Sequence, residues 1–329
     1  MGPNGHIYFH APCFDGLVSA VLTWDFLEKK QDWSVPTLQA VNYDLRDNWL
    51  ASNLARPCAV VDFLYHPDAD FWADHHLTTF LTDAVREDFK RRQGPAIVYD
   101  DQAGSCAILL WEHLARAFDH RNDSYTGLVK WADKIDAARY DSVAEAIFPS
   151  APALRISLGL VFGDRDGYCA GLVGALRKQS LEEVAELAEA KRRFNRALAL
   201  IEAGLDRFKE AARLEKDGIV VFDVEAKDTI VSRYAPYYFY PEARYSAGIL
   251  RWERGAKVTA MRNPWKEFEG VPLGKLCEEL GGGGHRRVGS IFLSGERASG
   301  ARDVLNRLLS EIRREEPEKG KKPVHGRAP

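Results

Sequence analysis

Histidine and aspartate side chains recur through the N-terminal half of this chain, at positions where they could bind divalent metal ions. The most prominent group is the triplet Asp74-His75-His76. Imidazole nitrogens and carboxylate oxygens bind ions such as manganese, zinc and iron. Related side chains occur before and after the triplet: His10, Asp15, Asp62 and Asp133. Each of them alone has an ordinary structural explanation, but their joint order indicates a metal centre.

The expected ligands divide between two ions. A hydrolytic centre holds two ions about 3.5–4 Å apart, with a bridging carboxylate and an attacking water between them. Asp62 is the best bridging candidate, because it follows the apolar run Cys58-Ala59-Val60-Val61. We expect His10 to bind the first ion. The predicted ligands of the second ion are Asp15, His75 and Asp133, with Asp136 as a competitor for the role of Asp133.

The triplet also supplies the predicted catalytic residues, which are Asp74, His75 and His76. Asp74 is expected to accept a ring N–H and so fix the tautomer of a metal-binding histidine. His76 is expected to contact a substrate phosphate or to protonate a leaving oxygen. The chemistry that these residue types indicate is hydrolysis of a phosphoester by a metal-activated water.

The elements that must position these residues alternate between strand and helix. Apolar runs predict strands at residues 6–10, 59–63, 71–74 and 96–99, and helical spacing predicts helices at 16–29, 104–118 and 125–140. Such alternation favours a parallel sheet with right-handed crossovers. The candidate ligands then lie at the carboxyl ends of strands, which is the ligand-binding edge of an open α/β sheet.

The C-terminal half has a different pattern. Residues 181–216 predict one long helix or two nearly continuous ones, which we interpret as a bridge between domains; a dimer-forming coiled coil is the alternative. Strands are then predicted at 218–224, 229–233, 246–252, 257–262 and 290–293, with a helix at 273–280. The predicted domains are a catalytic domain over 1–165, a helical linker over 166–217, a smaller α+β domain over 218–312 and a disordered tail over 313–329.

A second chemical signal is the run of four glycines that begins at Gly281 and precedes His285-Arg286-Arg287. Consecutive glycines cost backbone entropy and add nothing to a core, so a structural role alone is hard to defend. Glycines allow backbone N–H groups to approach an anion closely, and arginine suits phosphate. The alternative is a flexible loop with solvated arginines. The predicted substrate-binding residues are Gly282, Gly283, Gly284, His285 and Arg286.

Composition limits the classes of partner. The chain has 329 residues, 46% of them hydrophobic, and a formal net charge of -3, which argues against broad affinity for long duplex DNA. The five cysteines are odd in number and never form a C-x-x-C pair, which favours a reducing compartment. We expect a cytoplasmic protein without membrane association. Its expected partner is a short single-stranded oligonucleotide or a phosphorylated nucleotide, and a homodimer is compatible with the long helical segment.

The motifs HAPCFDG, VVDF, ADHH and WADKID resemble those of the DHH phosphoesterase superfamily, over nearly the whole chain up to about residue 310. That group includes RecJ-type exonucleases, oligoribonucleases (nanoRNases) that also act on 3′-phosphoadenosine 5′-phosphate, cyclic-dinucleotide phosphodiesterases and family II pyrophosphatases. The resemblance implies two manganese ions at the positions that fall on His10, Asp15, Asp62, His75 and Asp133. Within the superfamily, the chain is similar to proteins of the oligoribonuclease (nanoRNase) and pAp-phosphatase type.

The glycine run resembles the substrate-binding signature of the DHHA1 domain. The fold class implied is α/β, with an N-terminal parallel-sheet DHH domain joined by a long helical linker to a smaller α+β DHHA1 domain. Arg262 falls at a strand end that faces the substrate-binding cleft in such relatives, which implies a second-rank phosphate contact; an exposed strand-end arginine is the alternative. The implied activity is metal-dependent hydrolysis of short oligonucleotides. Alternatives are a cyclic-dinucleotide or polyphosphate hydrolase with the same site, or a non-catalytic nucleotide sensor.

Cys13 departs from the family pattern, because most relatives have an aspartate two residues before the Asp-Gly of this motif. Three interpretations follow: a weakly held His10 ion, a thiolate ligand that favours zinc or iron, or a water in place of the missing oxygen. A small buried cysteine that packs the turn is the structural alternative. We favour a weaker first metal site with retained activity.

Overall fold

The computed structural model describes residues 4–34 and 37–316, which form two compact units. Unit 1 comprises the chain up to Asp141 together with Pro149–Ala197, and unit 2 comprises Ser142–Phe148 and the chain from Leu198 onward. The division between the units therefore falls inside the long helical segment, whereas the sequence analysis predicts a separate linker over residues 166–217.

Unit 1 contains a five-stranded sheet of order β2-β1-β3-β4-β5 in which every pair is parallel. Its strands are β1 (His6–His10), β2 (Thr37–Val41), β3 (Cys58–Val61), β4 (Phe71–Asp74) and β5 (Ile97–Tyr99). The four predicted strands are confirmed with small shifts of their ends. Strand β2 was not predicted, because it has only one fully buried residue and so lacks an apolar run.

Helices cover both faces of this sheet. Those that begin in unit 1 are α1 (Phe14–Lys30), α2 (Asp83–Arg92), α3 (Cys106–Phe118), α4 (Thr126–Asp136), α6 (Pro152–Gly159), α7 (Tyr168–Leu176), α8 (Leu181–Ala185) and α9 (Ala188–Ala211), and α5 (Val143–Ile147) belongs to unit 2. Ile7 and Phe9 of β1 pack toward α1 and α3, whereas Tyr8 packs on the opposite face with Trp49 and Phe89. Burial on both faces explains why β3 is apolar throughout.

Unit 2 contains a six-stranded mixed sheet of order β10-β11-β9-β8-β7-β6. Its strands are β6 (Ala212–Leu214), β7 (Ile219–Glu225), β8 (Tyr245–Trp252), β9 (Gly255–Arg262), β10 (Gly283–His285) and β11 (Val288–Ser294). The predicted strand at 229–233 is wrong. Asp228 before it has a positive φ of 54°, and the Ser232 hydroxyl accepts the Tyr234 N–H, so this segment turns away from an extended path.

The helices of unit 2 are α10 (Ala235–Phe239), α11 (Leu273–Glu279) and α12 (Ala301–Glu315). Leu305, Leu308 and Ile312 on one face of α12 join the core beneath the sheet. The helix continues to Glu315, so residues 313–315, the first of the predicted disordered tail, are helical. Residues 317–329 of that tail lie outside the described residues. Within residues 4–34 and 37–316, no helix combines the length and the apolar character needed to cross a membrane.

Candidate metal centre

Four of the five predicted metal ligands, His10, Asp15, Asp62 and His75, come together at the carboxyl edge of the parallel sheet. His10 is the last residue of β1, Asp62 follows β3 directly, and Asp74 ends β4. Because β1, β3 and β4 are adjacent and parallel, these three strand ends lie side by side. The two histidines of the triplet, His75 and His76, continue from β4 into the same region.

Local backbone geometry makes this convergence close. A Cβ atom on Gly16 would lie 1.9 Å from the His10 carbonyl oxygen and 3.2 Å from Asp62 Oδ2, so only glycine lets the start of α1 approach the end of β1. Asp15 is held by the start of α3, where the backbone N–H groups of Cys106 and Ala107 donate to its two carboxylate oxygens at 2.7 and 2.8 Å. Both residues of this Asp-Gly pair thus have a structural reason: Asp15 accepts two N–H groups of α3, and Gly16 allows the close approach to β1.

One half of the centre is arranged around the ring of His75. Its Nε2 atom lies 3.7 Å from Asp15 Oδ2, 3.7 Å from Asp62 Oδ1 and 3.4 Å from Asp136 Oδ2. Two ligands bound to one ion at about 2.0–2.2 Å lie roughly 3–3.6 Å apart, depending on the angle between them. The distance to Asp136 falls in this range, and the two 3.7 Å distances lie just beyond it. His75 Nδ1 donates to the Ala103 carbonyl at 3.2 Å, which leaves Nε2 as the atom that can bind a metal.

The other half contains His10, Cys13 and Asp62, whose ligand atoms lie within 4.8 Å of one another. His10 Nδ1 is 3.4 Å from Asp62 Oδ2. Since the second oxygen of Asp62 faces His75, this carboxylate has one oxygen toward each half of the centre. That is the geometry a bridging carboxylate requires.

Several polar atoms of this centre are buried without a hydrogen-bond partner: His10 Nδ1, both carboxylate oxygens of Asp62, Asp74 Oδ2 and His75 Nε2. A buried acceptor without a partner costs about 1–3 kcal/mol, and more when it is charged. Divalent cations would satisfy these acceptors. The donor set, nitrogen and oxygen with one sulfur, is also one that such ions bind, so the residues present fit a metal centre.

The electrostatics of the centre indicate the same ligand. Burial, followed by the neighbouring Asp15 and Asp136 carboxylates, holds the pKa of Asp62 well above its usual range. Burial and the Asp136 carboxylate likewise raise the pKa of Asp15 to about 6. Burial and the nearby His76 lower the pKa of His10 to about 4, so its imidazole is neutral at pH 7. Clustered carboxylates beside a neutral imidazole form a site that a cation would stabilise.

Asp133 is not part of this group, and the structure places Asp136 there instead. Asp133 lies one turn earlier on α4, where Arg139 Nη1 donates to its carboxylate. It also packs so closely on the turn before α3 that a Cβ on Gly104 would lie 2.1 Å from Asp133 Oδ1. The structure therefore brings Asp136, the predicted competitor, beside His75, and it holds Asp133 against Arg139 and the turn before α3.

Asp74 accepts a ring N–H, but its partner is His76 and not one of the predicted metal-binding histidines. His76 Nδ1 lies 2.8 Å from Asp74 Oδ1. Burial alone would lower the pKa of His76, but the hydrogen bond and charge of Asp74 outweigh it and raise that pKa. Tyr43, which no motif singles out, packs against His10 with ring centroids 5.1 Å apart and against His76 at 6.3 Å. Only the tertiary structure identifies Tyr43 as a wall of the centre.

Three of the four glycines in the run of unit 2 have a structural reason. Gly281 follows the end of α11 with a positive φ of 85°. A Cβ on Gly282 would lie 2.2 Å from the Ser290 carbonyl oxygen, and one on Gly284 would lie 2.3 Å from that of Val288. A Cβ on Gly283 would meet nothing within 4 Å. The expectation that structure alone could not explain the run is therefore corrected for these three positions, because β10 pairs closely with β11.

The arginines near this run differ from one another. Arg262 Nη2 donates to the Phe268 carbonyl, and its guanidinium lies over the Phe268 ring at 4.1 Å. Burial and the nearby Arg287 lower the pKa of Arg262. Arg286 and Arg287 are exposed, and no ion pair joins either to a carboxylate within the described residues. The phosphate role predicted for Arg262 thus competes with its existing partners, whereas Arg286 is available to a ligand.

Three tyrosines of unit 2, Tyr237, Tyr238 and Tyr240, have rings on which nucleotide bases could stack. Most of these rings are packed against the protein. Tyr237 is buried, and its hydroxyl donates to the Met261 carbonyl at 2.6 Å. The Tyr240 hydroxyl donates to the Ala212 carbonyl at 2.9 Å. Tyr238 is 42% exposed and meets Phe148 edge-on at 5.6 Å. Of these three rings, Tyr238 is the one that keeps an exposed face.

Solved structures with a similar fold cover nearly the whole chain. The pGpG-specific phosphodiesterase PggH from Vibrio cholerae has a TM-score of 0.69 at 18% sequence identity, over 94% of this chain and 99% of that one. A ribosomal-protein relative solved as a DHH domain has a TM-score of 0.59 at 14% identity, over 94% and 86%. RecJ from Thermus thermophilus, in complex with Mn²⁺, has a TM-score of 0.58 at 15% identity, over 94% and 52%.

No protein-family model and no curated protein matches the sequence. At these identities the structural similarity establishes the fold. The predicted α/β fold, with a parallel-sheet unit followed by a second, mixed-sheet unit, is confirmed. The resemblance to the DHH/DHHA1 phosphoesterases is confirmed at the level of that fold.

Proposed function

We propose that this chain is a metal-dependent phosphoesterase that hydrolyses short oligonucleotides or related nucleotides, with manganese as the physiological ion. The observation that carries this proposal is the convergence of His10, Asp15, Asp62, His75 and Asp136, in which His10 Nδ1, His75 Nε2 and both Asp62 oxygens are buried without hydrogen-bond partners. An assembly of this kind costs folding free energy unless cations occupy it. RecJ, which shares the fold, was solved with Mn²⁺ and also with Mg²⁺.

Bound ions would supply an activated water and would screen the charge of the phosphate. The protein residues orient the ligands and handle the protons. The Ala103 carbonyl fixes the ring of His75 by accepting its Nδ1–H. The Asp15 carboxylate is held by two backbone N–H groups at the start of α3. Both ligands are thus preorganised before substrate arrives, which is how a centre avoids reorganisation during the reaction.

His76 is the proposed proton donor to the leaving oxygen. Its hydrogen bond to Asp74 favours the cationic ring, and the Nδ1–H that Asp74 accepts leaves Nε2 to exchange protons. Because Asp74 is fully buried at the end of β4, it holds the ring of His76 from a rigid element. Asp74 therefore acts as a positioning residue, and His76 as the general acid.

The substrate class follows from charge and from the fold relatives. PggH is specific for pGpG, a linear dinucleotide, and its whole length corresponds to this chain. The exposed Arg286 and Arg287 offer guanidinium groups to a terminal phosphate, while the net charge of -3 disfavours long duplexes. We propose a linear dinucleotide or a similarly short oligonucleotide as the substrate, bound in part by the basic residues of unit 2.

The test is manganese-dependent hydrolysis of a labelled RNA dinucleotide, compared with a cyclic dinucleotide, pyrophosphate and 3′-phosphoadenosine 5′-phosphate. We expect the linear dinucleotide to give the highest kcat/KM. Faster hydrolysis of the cyclic dinucleotide or of pyrophosphate would overturn the proposed substrate. Binding of the dinucleotide without any hydrolysis would instead identify a nucleotide sensor.

A double substitution, Asp74→Ala with His75→Ala, should abolish hydrolysis and leave the circular dichroism spectrum unchanged. His113→Ala is the matched control. His113 lies on α3 of the same unit, where its Nε2 donates to the Pro95 carbonyl at 2.7 Å, and its loss should leave kcat close to wild type. Hydrolysis near the wild-type rate in the double variant would refute the proposed centre.

A further inference from the structure

The thiol of Cys13 occupies a position inside the metal centre. Cys13 precedes α1 in an extended conformation, with φ -143° and ψ 136°, and its side chain makes no capping hydrogen bond. Its sulfur forms a group with His10 and Asp62 in which the ligand atoms lie within 4.8 Å of one another. A cysteine that only packed a turn would be expected among apolar side chains.

The two halves of the centre offer different donors. Around His75 the other donors are carboxylate oxygens, from Asp15, Asp62 and Asp136. Around His10 the other donors are Asp62 and the sulfur of Cys13. His10 Nδ1 and both Asp62 oxygens are buried without hydrogen-bond partners, so ligand atoms point into this half independently of the cysteine.

The spacing also suits a common ion. Zinc binds nitrogen and oxygen at about 2.0–2.2 Å and thiolate sulfur at about 2.3 Å, which puts tetrahedral ligands roughly 3.3–3.6 Å apart. The 3.4 Å between His10 Nδ1 and Asp62 Oδ2 falls in that range. The Cys13 sulfur lies within 4.8 Å of the ligand atoms of His10 and Asp62, so all three side chains border the same position.

We propose that Cys13 binds, as a thiolate, the ion held by His10 and Asp62, so that this half of the centre prefers zinc, cobalt(II) or iron(II) to manganese. The inference rests on the proposed two-metal function and refines it, since the oxygen-rich half around His75 would keep its affinity for manganese. On binding, the thiol proton passes to solvent and the sulfur lone pair forms the bond to the ion. Soft thiolate donors select these metals.

The experiment titrates the metal-free, full-length protein with Co²⁺ and records its absorption spectrum, without any assay of hydrolysis. A cobalt–thiolate bond produces an intense near-ultraviolet charge-transfer band. We expect this band in the wild type and its loss in Cys13→Ser, with a fall of at least tenfold in Zn²⁺ affinity and less than threefold in Mn²⁺ affinity. Cys13→Asp should also lack the band and should bind Mn²⁺ at least tenfold more tightly than wild type.

Cys58→Ala is the matched control. Cys58 is the buried thiol that begins β3, and its sulfur lies 3.6 Å from the Asp68 carbonyl oxygen. Its loss should leave the cobalt band intact. Two bound cobalt ions without a charge-transfer band, or a band that persists in both Cys13 variants, would overturn the inference and leave the proposed function standing. Failure of the wild type to bind Co²⁺, Zn²⁺ or Mn²⁺ would overturn both.

Discussion

The metal centre of unit 1 and the glycine–arginine run of unit 2 differ in whether their polar groups are buried and whether these groups have hydrogen-bond partners. In the metal centre, carboxylates and imidazoles are buried together, and atoms such as Asp62 Oδ1 and His75 Nε2 have no hydrogen-bond partner. In the run, backbone groups are paired between β10 and β11, and the arginine side chains extend from an exposed surface.

This difference decides how much each region says about function. Burial of unpaired polar atoms costs free energy that nothing else in the fold returns, so their presence points to a ligand. Exposed arginines cost almost nothing, and three of the four glycines are explained by packing. The metal centre is thus supported by energetics, whereas the substrate-binding role of the run depends on charge alone.

The largest effect is expected for Asp62→Asn. Loss of the bridging carboxylate should lower kcat/KM by about 10³-fold or more, which corresponds to roughly 4 kcal/mol of lost transition-state stabilisation. The melting temperature of the metal-free protein should stay the same or rise at pH 7. The pKa of Asp62 is raised in the folded protein, so above the unfolded-state pKa this carboxyl group lowers the stability of the metal-free fold. Asparagine does not ionise and removes this destabilisation. A lower melting temperature in EDTA would show that Asp62 is structural.

Asp136→Asn and Asp133→Asn form a matched pair on one helix. We expect Asp136→Asn to reduce kcat/KM by about 10²-fold through loss of a metal ligand. Asp133→Asn should reduce it less than threefold. It should lower the free energy of unfolding by at most about 1 kcal/mol, since its ion pair with Arg139 is partly exposed. Steady-state kinetics with manganese titration measures both, and the reverse order of effects would return the ligand role to Asp133.

Gly284→Ala and Gly283→Ala separate packing from ligand binding in unit 2. Gly284 has a φ of 148°, and its Cβ would clash with the Val288 carbonyl, so Gly284→Ala should cost at least about 2 kcal/mol of stability. Gly283→Ala meets open space and should change stability by less than about 0.5 kcal/mol. Urea unfolding measures the difference. If Gly283→Ala nevertheless weakens dinucleotide binding strongly, the run has a direct binding role at that position.

The smallest effect is expected for the arginines. Arg286→Ala should raise KM for a dinucleotide about tenfold, as expected for loss of one charged hydrogen bond, with little change in kcat or in stability. Arg262→Ala should instead lower the free energy of unfolding, because it removes the contact with Phe268. His285→Ala should raise KM about tenfold, as predicted for Arg286→Ala. Equal KM values for wild type and Arg286→Ala would remove the run from substrate binding.

Much of unit 1 could be predicted because its strands are apolar runs that end in polar residues. Cys58–Val61 and Phe71–Asp74 are buried on both faces, so composition alone marks them as strands. The strand Thr37–Val41 and the short strands Ala212–Leu214 and Gly283–His285 lack such runs. They become strands through hydrogen bonds to a partner strand, which is distant in sequence for Thr37–Val41 and follows across a hairpin for the other two, and the residues of the strand alone do not record that pairing.

The sequence by itself determined the residue types of the metal centre and their order along parallel strands, because parallel strands bring their carboxyl ends to one edge. It did not decide between Asp133 and Asp136. The two lie three residues apart on one helix, so both belong to the same face, and the seating of α4 against the sheet selects the one that reaches His75. Nor did it reveal that Cys13 faces His10 and Asp62, since the direction of a side chain in a turn depends on the elements that the turn joins.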